Sequence, residues 1–133
     1  MKILGQGVDI VEVERIRKSI RKWGSHFLDK VFTPHELRYV RKKKNRYESL
    51  AARFATKEAV VKAFGERKDR PFSLRQIEVV NTKEGAPKIV LHAPNGKGPL
   101  RLKKDVGGVM VSMSHSKLYA VGTALLVGAQ RKR

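Results

Sequence analysis

RFATKEAVVKAFG, residues 53–65, decides how the rest of the chain is read. At about 100° per residue, Leu50, Phe54 and Val61 fall on one face of a helix, with Ala51 and Phe64 at its flanks. The helix is expected over about Glu48 to Phe64, and Gly65 suits the residue that ends it. Glu58 falls roughly 40° from Phe54, inside the apolar arc, with Lys62 one turn further on. An unpartnered carboxylate there carries a desolvation cost or takes up a proton. A metal ion, a cation or a polar cleft beside the helix removes that cost. An i,i+4 pair with Lys62, worth about 0.2–0.5 kcal/mol, accounts for the two charges but not for their place on the core side.

On the N-terminal side, KILGQGV (2–8) has strand character and ends at Asp9. A helix follows in which Val13, Ile16 and Ile20 share one face while Arg15, Lys18 and Lys22 point to the other. Asp9 reads two ways. D-I-V-E (9–12) fits a capping box, and a carboxylate fixed at a strand–helix junction equally suits a hard metal ion. T-P-H-E (33–36) is a second capping box, with Thr33 as N-cap and Pro34 at the first helical position, and it needs no functional reading. RYVRKKKNR (38–46) continues that short helix into a basic loop.

On the C-terminal side, GERKDRPF (65–72) is a polar loop, and QIEVV (76–80) with PKIVLH (87–92) forms a hairpin. APNGKGP (93–99) is a loop, and LRLKKDVGG is expected to hold one short helical turn. VMVSMS (109–114) and LYAVGTALLV (118–127) form a second hairpin around His115, Ser116 and Lys117, and the terminal RKR is expected to fray. Helices early and antiparallel strands late make the class α+β, with residues 1–133 forming a single domain.

Composition narrows the function. With 41% apolar residues the chain can bury a core, and without cysteine it has no disulfide and no thiolate metal site. MKILGQGVDI lacks the long apolar run of a signal peptide, and LYAVGTALLVGA (118–129) is too short to span a bilayer, so a cytoplasmic location is expected. The net charge of +18 is concentrated. Residues 15–46 hold twelve Lys or Arg against Asp29 and Glu36 alone. Such a surface favours a polyanionic partner: nucleic acid, anionic lipid, a phosphorylated small molecule or an acidic protein.

Pyrophosphate chemistry needs acids to hold Mg²⁺ and cations for the phosphate oxygens that the metal leaves bare. Arg53, Lys57 and Lys62 supply cations on the central helix, although Lys57 reads equally as a surface residue. S-M-S-H-S (112–116) is not a Ser–His dyad, because neighbouring residues on a strand point to opposite faces. His115 at a hairpin tip is better read as a phosphate or substrate contact, or as a loop histidine with no role. His26, His35 and His92 lack zinc-ligand spacing, and GQG (5–7) is an incomplete dinucleotide fingerprint.

Four stretches in order, GVDIVEVERI (7–16), FTPHEL (32–37), RFATKEAVVKAFG (53–65) and VSMSHSKLYAVGTAL (111–125), resemble the holo-[acyl-carrier-protein] synthases, the small trimeric class of 4′-phosphopantetheinyl transferases. The resemblance implies that family's fold, an antiparallel sheet packed with a long central helix. It also implies transfer of phosphopantetheine from coenzyme A to a serine of acyl carrier protein in fatty acid biosynthesis, releasing adenosine 3′,5′-bisphosphate. By that resemblance Asp9 and Glu58 are Mg²⁺ ligands, Lys62 stabilises phosphate charge, and Glu58 assists deprotonation of the acceptor serine. Arg53 and His115 match positions near the coenzyme A phosphates, and Arg15, with Lys18 and Lys22, belongs to the basic first helix that docks the acidic carrier. The family's active sites lie between subunits of a homotrimer. This sequence departs from the family pattern in the RKKKNR run (41–46) and in residues 93–108, where many relatives have a longer regular helix.

A non-catalytic basic module that binds nucleic acid is the second reading. It accounts for the charge but not for Glu58 and Asp9. It would also need exposed aromatics for stacking, whereas the nine aromatics here are expected mostly at core positions.

Overall fold

The structure is a computed structural model that describes residues 1–130; the RKR terminus lies outside the described residues. β1 (Ile3–Glu12) is followed by four helices, α1 (Val13–Trp23), α2 (Ser25–Val31), α3 (Pro34–Arg41) and α4 (Arg46–Phe64). A 3₁₀ turn at Leu74–Gln76 leads into β2 (Ile77–Asn81), β3 (Pro87–Leu91), β4 (Val106–His115) and β5 (Tyr119–Gly128). β1, β5 and β4 form one antiparallel sheet in that order, and β2 and β3 form a separate antiparallel hairpin. The α+β expectation and both hairpins hold.

Glycine sets the depth at which α4 lies on the sheet. A Cβ on Gly5 or Gly7 of β1 would overlap the Ala63 or Ala59 carbonyl, and one on Gly122 of β5 would overlap Thr56. On the helix side of this contact are Ala51, Ala52, Ala55, Ala59 and Ala63, each at most 4% exposed. Small residues on both surfaces bring backbone onto backbone, which positions any side chain at the edge of the contact closely. Two apolar clusters follow along α4. One joins Val11, Ile16, Phe32, Val40 and Leu50 around its first half; the other joins Val60, Phe64, Ile77 and Leu126 around its second.

Several local expectations are corrected. β1 runs through Asp9 to Glu12, so Asp9 is mid-strand, paired with Gly122, and D-I-V-E forms no capping box; α1 starts from Glu12 with no side-chain cap. Pairing with β5 extended the strand past its first acid, which a local pattern does not register. α2 was not expected. Residues 100–105 contain no helical turn, and Gly107 and Gly108 lie inside β4 at a register shift where the strand closes on Gly128. An Arg67 clamp holds that irregular segment: its guanidinium donates to both oxygens of Asp69 (3.0 and 3.2 Å) and both of Asp105 (3.1 and 2.7 Å).

The face of α4 is also corrected. Its closed sides carry the alanines, Arg53, Thr56 and Lys57, while Phe54, Glu58 and Val61 are half-buried and Lys62 is exposed. The Phe54, Glu58 and Val61 part of the apolar arc is therefore the helix's open side, while Leu50, Ala51 and Phe64 are buried as that arc predicts. α4 is covered by the sheet on one side and by α3, the 3₁₀ turn and β2 on another, so hydropathy around its axis does not reveal which side faces out.

Candidate active site

Odd-numbered residues of β1 face α4, as the contacts of Gly5 and Gly7 and the burial of Val11 show. Asp9 shares that row, at the point where α4 passes over the strand. The Lys62 side chain runs across Gly7, using the space its missing Cβ leaves, and Nζ donates to Asp9 Oδ1 at 3.1 Å and to the Val8 carbonyl at 2.9 Å. Glu58 lies one turn earlier on the same side of the helix. The alternative i,i+4 Glu58–Lys62 pair does not form, because Lys62 is held by β1.

Glu58 is electrostatically coupled to the groups around it. Burial pushes the Glu58 carboxyl above its ordinary value, the Asp9 charge adds to that shift, and Lys62 and then Arg15 oppose it. Three elements, β1, α4 and α1, thus converge on Glu58. Two carboxylates alone could not both stay ionised cheaply; Lys62 and Arg15 supply the compensating charge. Among the described residues no three His, Cys, Asp or Glu side chains converge, so a metal ion here would take two protein carboxylates and fill its shell from elsewhere.

Arg53 is not brought to these carboxylates. It is 3% exposed and stands about 140° from Glu58 around α4. Its guanidinium donates to Asn81 Oδ1 at 2.6 Å and lies 4.7 Å from the Tyr39 ring centroid, while Nε has no hydrogen-bond partner. Burial lowers its pKa, with Glu36 and then Tyr39 acting in the opposite direction. His115 is the last residue of β4, opposite Ala120, rather than a hairpin tip; Ser116–Leu118 make the turn. Its Nδ1 lies 3.4 Å from Glu48 Oε2 on the first turns of α4.

Lys57 is not a surface residue. Its ammonium is 0% exposed and donates to Glu36 Oε1 (2.6 Å), the Val31 carbonyl (2.6 Å) and the Leu74 carbonyl (3.3 Å). Glu36 also accepts the Thr33 N–H at 2.9 Å and the Val79 N–H at 2.8 Å. The TPHE capping box forms as expected, yet its glutamate also ties α3 to α4 and β2. Nothing in a local capping pattern indicates that second use.

Arg15, Lys18 and Lys22 do share a face of α1, where with Glu12, Glu14, Ser19 and Trp23 they line a groove of about 450 Å³. Trp23 escaped the sequence reading, as did three other exposed aromatics, Tyr39, Phe72 and Tyr119. The expectation of mostly core aromatics is therefore wrong for four of the nine. The signal for Trp23 was present in the i, i+4, i+8 spacing of Arg15, Ser19 and Trp23.

A sheet-borne aspartate, a helix-borne glutamate and lysine, and a basic helix beside them meet on one α+β scaffold. The chain belongs to the 4′-phosphopantetheinyl transferase superfamily, whose family model matches residues 5–122. It is 41% identical over 126 residues to the holo-[acyl-carrier-protein] synthase of Koribacter versatilis, covering 93% of this chain and 98% of that one. It is 42% identical over 124 residues to the enzyme of the same name from Thermodesulfovibrio yellowstonii, with the same coverage of both chains. Among solved structures it is similar to holo-ACP-synthase from Plasmodium yoelii, with a TM-score of 0.78, 30% identity and 97% and 98% of the two chains covered. It is also similar to the Bacillus anthracis holo-(acyl-carrier-protein) synthase solved in complex with CoA (3′,5′-ADP), with a TM-score of 0.73, 32% identity and 96% and 98% covered.

Proposed function

We infer that this chain transfers 4′-phosphopantetheine from coenzyme A to a serine of apo-acyl carrier protein. The observation that carries the reading is the convergence of Asp9, Glu58 and Lys62 at one edge of the sheet, in a chain about 40% identical to holo-[acyl-carrier-protein] synthases. In the reaction the serine oxygen bonds to the phosphorus that bears pantetheine. The bridging P–O bond breaks, and adenosine 3′,5′-bisphosphate leaves with the electron pair.

Each residue has a part in this. Glu58, directly or through a water, assists deprotonation of the acceptor serine. Lys62, half-exposed at its tip, is free to turn from Asp9 to a phosphate oxygen and offset the charge that builds on the leaving group. Asp9 and Glu58 fit Mg²⁺, since hard oxygen donors on one exposed edge suit an ion that keeps waters and binds substrate phosphates. When bound there, the ion polarises the pyrophosphate and neutralises its charge.

Arg53 and His115 enter the proposal as contacts for the coenzyme's other phosphates. The Arg53 Nε donor without a partner and the partly open His115 ring support this. A homotrimer, which the family resemblance implies, is supported by the sheet's outer face, where Val8, Ile10, Met110 and Tyr119 are each about half exposed or more. None of the helices described is long and apolar enough to cross a membrane.

The test is incubation with coenzyme A, Mg²⁺ and apo-acyl carrier protein, read by intact-protein mass spectrometry. Addition of a phosphopantetheine mass is expected; none from folded protein would refute the activity. Sedimentation should give a trimer, and Ile10→Asp should shift it toward monomer.

A further inference from the structure

We propose that Trp23 is the apolar anchor of the surface that docks the acyl carrier protein, seating against an apolar side chain set among acidic residues on the carrier. The inference rests on the transferase reading above and adds to it a contact that charge does not supply.

Trp23 is 55% exposed, although an indole is among the most costly side chains to leave in water. It is the last residue of α1, and its backbone is fixed there: the Gly24 N–H closes the helix on the Ile20 carbonyl at 2.7 Å, with Gly24 at φ 53°. Arg15, Ser19 and Trp23 form an i, i+4, i+8 row, with Lys18 and Lys22 in the adjacent row. Lys22 Nζ lies 5.0 Å from the indole centroid, so a cation borders the ring.

The row has a direction. At its near end Arg15 lies on the first turn of α1, directly after the strand that carries Asp9, the edge where the acceptor serine must arrive. Its far end, eight residues on, is about 12 Å along the helix. A partner whose serine reaches Glu58 therefore lies along α1 and covers Trp23. Glu12 and Glu14 also line the groove; Arg17 lies 3.6 Å from Glu14 and offsets its charge, which leaves Arg15, Lys18 and Lys22 to meet acidic groups. Charge of this kind speeds encounter and favours acidic partners, but it leaves the register loose. A rigid aromatic bordered by cations supplies the register, as buried tryptophan anchors do at other interfaces.

The chain has one tryptophan, so its emission reports this surface alone. Titration with a tryptophan-free apo-acyl carrier protein is expected to change that emission saturably. In transfer assays Trp23→Ala should raise KM for the carrier about tenfold and leave KM for coenzyme A within about twofold, with Trp23→Phe recovering most of the loss. Added salt should shrink the effect of Lys18→Glu while the Trp23→Ala ratio persists, because only the former is screened. An unchanged KM for the carrier, an equal rise in both KM values, or a ratio that salt abolishes would overturn the proposal. If the wild-type protein transfers nothing, the transferase reading fails and the titration decides docking on its own: saturable change supports it, unchanged emission overturns it. Equal emission changes with single-stranded RNA and with carrier overturn the assignment to an acidic protein.

Discussion

Helix α4 carries two lysines five residues apart, and each is paired with a carboxylate from another element, yet the two pairs do opposite things. Lys57 and Glu36 are 0% exposed, and the ammonium and carboxylate between them meet two backbone carbonyls and two backbone N–H groups. Lys62 and Asp9 have side chains 54% and 21% exposed, and Glu58 stands beside them. The interior pair has no room for another ligand. Its polar atoms are hydrogen-bonded, burial pulls the Lys57 pKa down, and Glu36 opposes that pull. The edge pair has only partial satisfaction and open space, which is what binding and exchange require. Surroundings, and not the residue types, separate a closed ion pair from an open one.

The largest effect should come from the edge site. Asp9→Ala and Glu58→Ala are each expected to reduce transfer about 10³-fold or more, several kcal/mol of barrier, while the melting temperature moves little. An active double variant would break the comparison at its functional end. At the interior site Lys57→Met should lower unfolding free energy by about 3–5 kcal/mol in urea titration, by leaving Glu36 buried and uncompensated. Adding Glu36→Leu should recover part of that loss; no recovery would mean that the carboxylate's bonds to Thr33 and Val79 matter more than its charge.

Lys62→Ala should slow transfer roughly 10- to 100-fold, the worth of one charge-assisted contact. Its stability should change by less than about 1 kcal/mol, since its pair is solvent-screened. The smallest effect belongs to the Arg67 clamp. Burial pushes the Asp69 carboxyl up, but hydrogen bonds from Arg67 and the Lys103 N–H outweigh it and hold the pKa below the ordinary range. A depressed carboxylate stabilises the fold above its unfolded pKa near 4 and loses that contribution as pH falls through the lower folded value. Asp69→Asn should therefore flatten the fall of melting temperature below about pH 4 and leave transfer at neutral pH nearly unchanged.

Much of this protein was determined by the sequence alone. Strong local chemistry marks its own place: Thr33 and Pro34 start a helix, Gly65 ends one, and alternating apolar residues at 109–114 and 118–127 make a hairpin. Asp9, Glu58 and Lys62 stood out by residue type and spacing. Tertiary structure decided the rest. Whether Asp9 capped a helix or continued a strand depended on pairing with β5, more than a hundred residues away. Which side of α4 faced water depended on glycines in β1 and β5 that admit the helix, and on α3, the 3₁₀ turn and β2 covering its other side. Lys57 and Lys62 look alike along the chain because desolvation is a property of everything packed around a group, and no local pattern contains it.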